Sequence, residues 1–193
     1  HLAKNIEENA SENVTYLNFK NDTWKVTTQP HGEEKTRHYE GDFLVLTPPV
    51  PQSMALIDES NVDLDYDDEE ELRRIHYTKC ITVLAQLDGP AGLPQPGAMD
   101  LNLDVLRWLG DNYAKQISKV PGSLTINSSS RFAQAHWDSP DDVRIPIMLK
   151  AAKPFIRAEV VSATAHRWGY SEPLRIFREK QPFRKDFLVD TRI

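Results

Sequence analysis

Within six residues, Ala165-His166-Arg167-Trp168-Gly169-Tyr170 sets an imidazole, a guanidinium, an indole and a phenol side by side. Such a set can wall a flat, π-stacked ligand and hold an anion; the plainer alternative is a core Trp168 beside a surface Arg167. Other chemistries lack their residues. The eight glycines stand at 32, 41, 89, 92, 97, 110, 122 and 169, so neither G-x-G-x-x-G nor G-x-x-x-x-G-K can form, and these 193 residues carry no glycine loop to cradle a nucleotide's phosphates. The six histidines (1, 31, 38, 76, 136 and 166) show no metal-ligand spacing, and one cysteine cannot build a thiolate zinc site, so no metal centre is expected. Gly-x-Ser-x-Gly is absent, which leaves the serines as ordinary surface residues. Cys80 lies in an apolar stretch, where a buried, inert thiol outweighs a low-pKa nucleophile.

The elements that must position the aromatic cluster belong to an ordinary globular chain. With 39% hydrophobic and 27% charged residues, the chain lies well away from the composition of disordered proteins. Its length suits one good hydrophobic core, and no stretch approaches the roughly 20 apolar residues of a membrane-spanning helix. A net charge of -6 argues against nucleic acid as a partner, because proteins that bind phosphate backbones carry clustered Lys and Arg. A single cysteine fits a reducing, cytoplasmic setting. The charge is uneven: seven acids lie between Asp63 and Glu71, whereas from Ala151 onward nine Lys and Arg face five acids. The basic third, with Arg167, Arg175, Arg178, Lys180, Arg184 and Lys185, reads either as a solvated face or as a surface for an anionic, phosphate-bearing partner.

Strands outnumber helices along the chain. Residues 14–19 and 24–28 are β-prone runs around Lys20-Asn21-Asp22-Thr23, which predicts a hairpin. A third strand precedes Gly41. The unbroken apolar run Phe43-Leu44-Val45-Leu46, stopped by Thr47-Pro48-Pro49, predicts a strand buried on both faces, as in a parallel sheet covered by helices. A short helix near 52–57 and an acid-led helix ending near Ile75 come next. Strands are predicted over 79–87, 103–109, 123–127, 160–168 and 187–193. Ser139-Pro140-Asp141-Asp142 starts a helix with Ser139 as its cap. Pro146 inside that helix, at a cost of about 3 kcal/mol, predicts a late start or a kink.

Taken in order, these segments resemble the renalase family of flavin-dependent oxidoreductases, relatives of the amine oxidases. The resemblance rests on Val14-Thr15-Tyr16-Leu17 followed by Trp24-Lys25-Val26, and on residues 43–52 (Phe-Leu-Val-Leu-Thr-Pro-Pro-Val-Pro-Gln). It continues through the strand opened by Tyr77 and Cys80 and ended by Asp88-Gly89-Pro90, Trp108-Leu109-Gly110-Asp111-Asn112-Tyr113-Ala114-Lys115, and Ser123-Leu124-Thr125-Ile126. His136-Trp137-Asp138 and Ala165-His166-Arg167-Trp168 complete it. Family members often carry His where this sequence has Asn127.

The resemblance implies an α+β fold: a substrate domain with a mostly antiparallel sheet and flanking helices, plus strands of a Rossmann-like FAD domain. Residues 1–57 would belong to the FAD domain, 58–180 to the substrate domain, and 181–193 to a strand returning to the FAD domain, so the chain would be a middle segment lacking the glycine loop. FAD is the implied cofactor, with Val14, Thr47, Pro48, Pro49 and Trp168 on its side of the site. Asp111, Asn112, Lys115, His166, Arg167 and Tyr170 are the implied substrate residues. The implied reaction is hydride transfer from a reduced small molecule, such as an isomer of NAD(P)H, with oxygen as the final acceptor and hydrogen peroxide as product. No side chain stands out as a general base, which suits direct hydride transfer. An amine substrate is the alternative within the enzyme class. A non-catalytic α+β binding module is the alternative outside it, and that reading predicts the 43–46 strand covered by helices of this chain.

Overall fold

The computed structural model describes residues 7–174, so the expected strand at 187–193 and the basic residues from Arg175 onward lie outside the described residues. The fold is α+β, with antiparallel sheets and flanking helices, and it divides into two compact units after His76.

The first unit is built on a meander of β1 (Glu12–Lys20), β2 (Thr23–Pro30) and β3 (Arg37–Gly41), paired antiparallel in that order. Asn21 and Asp22 both adopt positive φ, 54° and 58°, the backbone that a two-residue hairpin turn needs and that Asn and Asp tolerate. Two helices follow, α1 (Val50–Ser60) and α2 (Tyr66–Arg73). α2 is the acid-led helix: Asp65 caps it by accepting from the Asp67 N–H at 3.0 Å, and Asp67, Asp68 and Glu69 fill its first turn. Leu17, Trp24, Met54, Ile57, Leu72 and Ile75 are buried in this unit, and the Leu17 N–H donates to the buried Ser60 hydroxyl at 2.8 Å. Helix α1 thereby satisfies a donor of the edge strand β1.

The Phe43-Leu44-Val45-Leu46 run differs from its prediction. Among the described residues it belongs to no strand, with Phe43 61% and Val45 58% exposed while Leu44 and Leu46 are half-buried. An apolar run becomes a doubly buried strand only where other strands and helices cover it, and among the described residues this sheet has three strands with none beside residues 43–46. Phe43 and Val45, two residues apart, are left exposed.

Glu12 is the most tightly held polar group of the meander. Its carboxylate accepts from the Thr28 hydroxyl at 2.6 Å, the Tyr39 hydroxyl at 2.9 and 3.0 Å and the Arg37 guanidinium at 2.6 Å. The Thr28 hydrogen bond, then those from Tyr39 and Arg37, hold its pKa below the ordinary glutamate range against the opposing effect of desolvation. A carboxyl whose pKa falls on folding binds fewer protons in the folded state. Its stabilisation is therefore complete above the ordinary range and is lost as pH drops through the folded value. Acid titration of the unfolding transition should show a steeper loss of stability in the wild type than in Glu12→Gln, and equal slopes would refute the assignment.

The second unit carries a five-stranded antiparallel sheet. Its strands are β4 (Cys80–Leu87), β5 (Ala98–Asp100), β6 (Leu106–Asp111), β7 (Ser123–Ser128) and β8 (Val160–Trp168), ordered β5-β6-β7-β4-β8. α3 (Ser130–Ala135), α4 (Asp141–Ala152) and a 3-10 turn at Lys153–Phe155 complete it. Ile81, Val83, Ala85, Leu87, Leu106, Leu109, Leu124 and Ile126 form the inner face of the sheet and share one core with Phe132, Ala133, Met148, Ala152 and Ile156. On β4 and β7 the side chains alternate across the sheet, so the opposite face carries a different set of residues.

Helix α4 starts where the sequence places it, although Pro140 and not Ser139 occupies the cap position. The Ser139 hydroxyl instead meets His136 Nδ1 at 3.3 Å. The helix starts without delay and runs through Pro146 to Ala152, because the carbonyl that Pro146 leaves without its usual partner belongs to Asp142 in the first turn. Helix α3 went unpredicted: Ser129 caps it by accepting from the Phe132 N–H at 3.0 Å, and its six residues are too few for a visible period.

Candidate functional site

The candidate site is the face of the second unit's sheet that points away from its core. Register places Trp108 opposite Asn127, Asn127 opposite Thr82, and Thr82 opposite His166, so four side chains from β6, β7, β4 and β8 form one row across the sheet. Adjacent strands lie about 4.8 Å apart, which sets the aromatic ends of the row about 14 Å apart along the backbone. The next row places Gly110, Thr125, Leu84 and Thr164 in line, with Leu84 49% exposed. Leu84 is thus an apolar residue on the open face of a strand whose neighbours Val83 and Ala85 are buried.

Hydrogen bonds fix the middle of this floor. The Thr82 hydroxyl donates to Asn127 Oδ1 at 2.8 Å, which leaves the Asn127 amide N–H groups as donors on the open face. Asn112 Nδ2 donates to the Thr125 hydroxyl at 2.9 Å. At the β6 end the Trp108 indole lies on Gly110: a Cβ added at Gly110 would come within 1.9 Å of the ring. Lys115 Nζ sits 4.7 Å from the centre of the same ring and makes no ion pair among the described residues. At the β8 end the His166 and Trp168 rings meet edge to face at 4.4 Å, and Trp168 is 51% exposed. The result is a sheet face, the tray, with aromatic groups at both ends, an apolar and amide-bearing floor, and one ammonium. Its residue types suit a planar, anionic or polar-edged ring system.

Gly110→Ala is expected to displace Trp108 from the sheet and separate it from Lys115. The observable is a shifted indole emission with a stability change below about 3 kcal/mol, because a side chain can rotate where a backbone cannot. An unchanged emission spectrum would show that the indole does not rest on Gly110.

Six of the implied residues fall within or next to this tray, and the others do not. Trp168 and His166 form one end; Asn112 and Lys115 belong to the other. Asp111 is buried, and its Oδ1 accepts the Tyr113 and Ala114 N–H groups at 3.0 Å each, so it holds the turn that presents Asn112 and Lys115. Tyr170, just beyond β8, packs edge-on against Tyr77 at 5.6 Å. Arg167 points to the other face, where it donates to the Trp137 carbonyl at 3.1 Å. The period of two in a strand separates this guanidinium from the rings on either side of it, so the six-residue cluster does not act as one group. Val14, on the edge strand β1, and Thr47-Pro48-Pro49, at the entry to α1, belong to the first unit; the Pro48 carbonyl accepts from the Ser53 hydroxyl at 3.1 Å. Thr82, Leu84 and Thr125 were not singled out from the sequence, and the alternation in β4 and β7 is the signal that points to them. Cys80 is buried, with its Sγ 3.9 Å from the Thr82 hydroxyl. Among the described residues there is no His/Cys/Asp/Glu group able to hold a metal ion, and no helix long and apolar enough to cross a membrane.

No protein-family model matches the chain, and no curated protein matches it. Among solved structures, the chain is similar to a CLA-producing fatty acid isomerase from P. acnes, at 16% sequence identity and a TM-score of 0.47. The match covers 82% of this chain and 35% of that one, so the chain spans about a third of the length of that protein.

Proposed function

We propose that this chain is part of an FAD-dependent oxidoreductase and that the tray on the second unit is where it meets the flavin and a flat, reduced substrate. The observation that carries the reading is the cross-strand row Trp108, Asn127, Thr82 and His166, an aromatic-ended row on the sheet face opposite the core. The residues fit the ring system of the cofactor: Leu84 supplies an apolar floor, Asn127 supplies amide donors, and Trp168 supplies an exposed indole. They do not supply a glycine loop for its pyrophosphate, which these 193 residues lack. FAD, when bound, supplies the hydride acceptor.

The chain's own residues bind and orient. His166 and Trp168 hold one edge of the stacked rings, Lys115 offers positive charge at the other, and the Thr82 to Asn127 hydrogen bond fixes which way the amide donates. Val14 and Thr47-Pro48-Pro49 are proposed on the cofactor side of the first unit, and residues 1–57, 58–180 and 181–193 as cofactor part, substrate part and return strand. Among the described residues no helix covers Phe43 and Val45, which favours this reading over a self-contained binding module that would cover that segment. The proposed substrate is a reduced dinucleotide isomer, with oxygen as final acceptor, hydrogen peroxide as product and the cytoplasm as location.

Anaerobic mixing of the FAD-loaded full-length protein with reduced NAD(P) isomers, and separately with primary amines, tests the substrate class. Bleaching of the flavin band by the dinucleotides and not by the amines is expected. Bleaching by amines alone would reassign the enzyme, and bleaching by neither would remove the oxidoreductase reading.

A further inference from the structure

On the core-facing side of the same sheet, at the end where β4 begins and β8 finishes, two cations converge on one indole. Lys79 Nζ lies 4.5 Å from the centre of the Trp137 ring, and the Arg167 guanidinium carbon lies 5.5 Å from it. Their spacing follows from register, since Cys80 pairs with Trp168 and Ile81 with Arg167, which puts Lys79 and Arg167 on one face as diagonal neighbours. Two like charges gathered about one ring repel each other, and the ring's electron-rich faces offset only part of that.

Among the described residues no acid pairs with either cation. Asp141 is engaged by Arg144, at 2.5 and 2.6 Å, and the Arg144 guanidinium also donates to the Trp137 carbonyl at 3.1 Å. Asp138 and Glu172, the other acids close in sequence, form no ion pair with Lys79 or Arg167. Arg167 directs one N–H at the Trp137 carbonyl, and a guanidinium has five, so the remaining donors and the three of the Lys79 ammonium face solvent together. Buried Arg144, by donating to the Trp137 carbonyl, ties down the backbone that carries the indole, and the two cations stand on a chain of net charge -6.

We propose that Lys79 and Arg167, seated on Trp137, bind a phosphate-type oxyanion, the charged group of a small phosphorylated ligand. A planar fork and a point charge seated on one indole match an oxyanion that offers several acceptor oxygens, and binding relieves the repulsion between the two cations. This site lies on the sheet face opposite the tray and stands without the flavin reading.

The test titrates the full chain with inorganic phosphate at constant ionic strength and follows tryptophan emission. The expected result is a saturable change that vanishes in Trp137→Phe, is at least about tenfold weaker in Lys79→Gln and in Arg167→Gln, and persists in Lys79→Arg. Arg131→Gln, which removes a guanidinium on α3 paired with Asp104, should bind as the wild type does. A rise in the thermal midpoint of the wild type with phosphate, beyond that with sodium chloride of equal ionic strength, reads the same binding without any variant. No saturable change and no midpoint shift in the wild type would overturn the site, as would equal affinity in the wild type and both Gln variants.

Discussion

Ile126→Ala is expected to lower the unfolding free energy of the second unit by about 2–5 kcal/mol, the usual cost of emptying a fully buried aliphatic site. Ile126 is 0% exposed on β7, hydrogen-bonded between β6 and β4, and belongs to the core with Met148, Phe132 and Ala152. The loss has a functional side, because β7 alternates Leu124 and Ile126 into the core with Thr125 and Asn127 onto the tray. Urea unfolding followed by circular dichroism measures it, and Leu84→Ala is the control. That residue sits on the next strand but faces outward at 49% exposure, so its removal should cost well under half as much. Equal costs at the two positions would mean that the inner and outer faces of the sheet have been assigned the wrong way round.

Gly122→Ala should be nearly as damaging for a different reason. Gly122 immediately precedes β7 at φ 76°, and a Cβ there would stand 2.6 Å from the Leu87 carbonyl oxygen and 2.7 Å from that of Gly89. Both obstacles are backbone, and the Leu87 N–H is tied to the Gly122 carbonyl at 2.9 Å, so neither can move aside alone. Strain from the positive φ costs about 1–3 kcal/mol before the clash is added, so a total above about 2 kcal/mol is expected. Gly32→Ala separates the two contributions: its φ is 80° but nothing lies within 4 Å of the added carbon. A thermal midpoint lowered equally by both substitutions would show that the contact with the β4 turn is not as close as described.

Local patterns were legible wherever short-range chemistry decides the backbone. The Asn21-Asp22 hairpin, the acid-led α2 and the Pro140 start of α4 could be placed because turn residues and helix dipoles act within a few residues. The Phe43-Leu44-Val45-Leu46 run was misread because its apolarity reports what the segment would bury, whereas burial requires partners that no local pattern names. The aromatic cluster at 165–170 was half legible. Its residue types marked a site, yet the period of two sends Arg167 to Trp137 and keeps His166 with Trp168. The row from Trp108 to His166 could not be seen in the sequence at all, since it depends on four strands whose register is set by long connections such as residues 88–97 and 112–122.

The absorbance spectrum of the full-length protein, purified, incubated with FAD and freed of unbound FAD, tests the proposed function most directly. A yellow protein retaining the bands of oxidised flavin in proportion to its concentration is the predicted result. A protein that stays colourless and retains no FAD under conditions in which it is folded would contradict it.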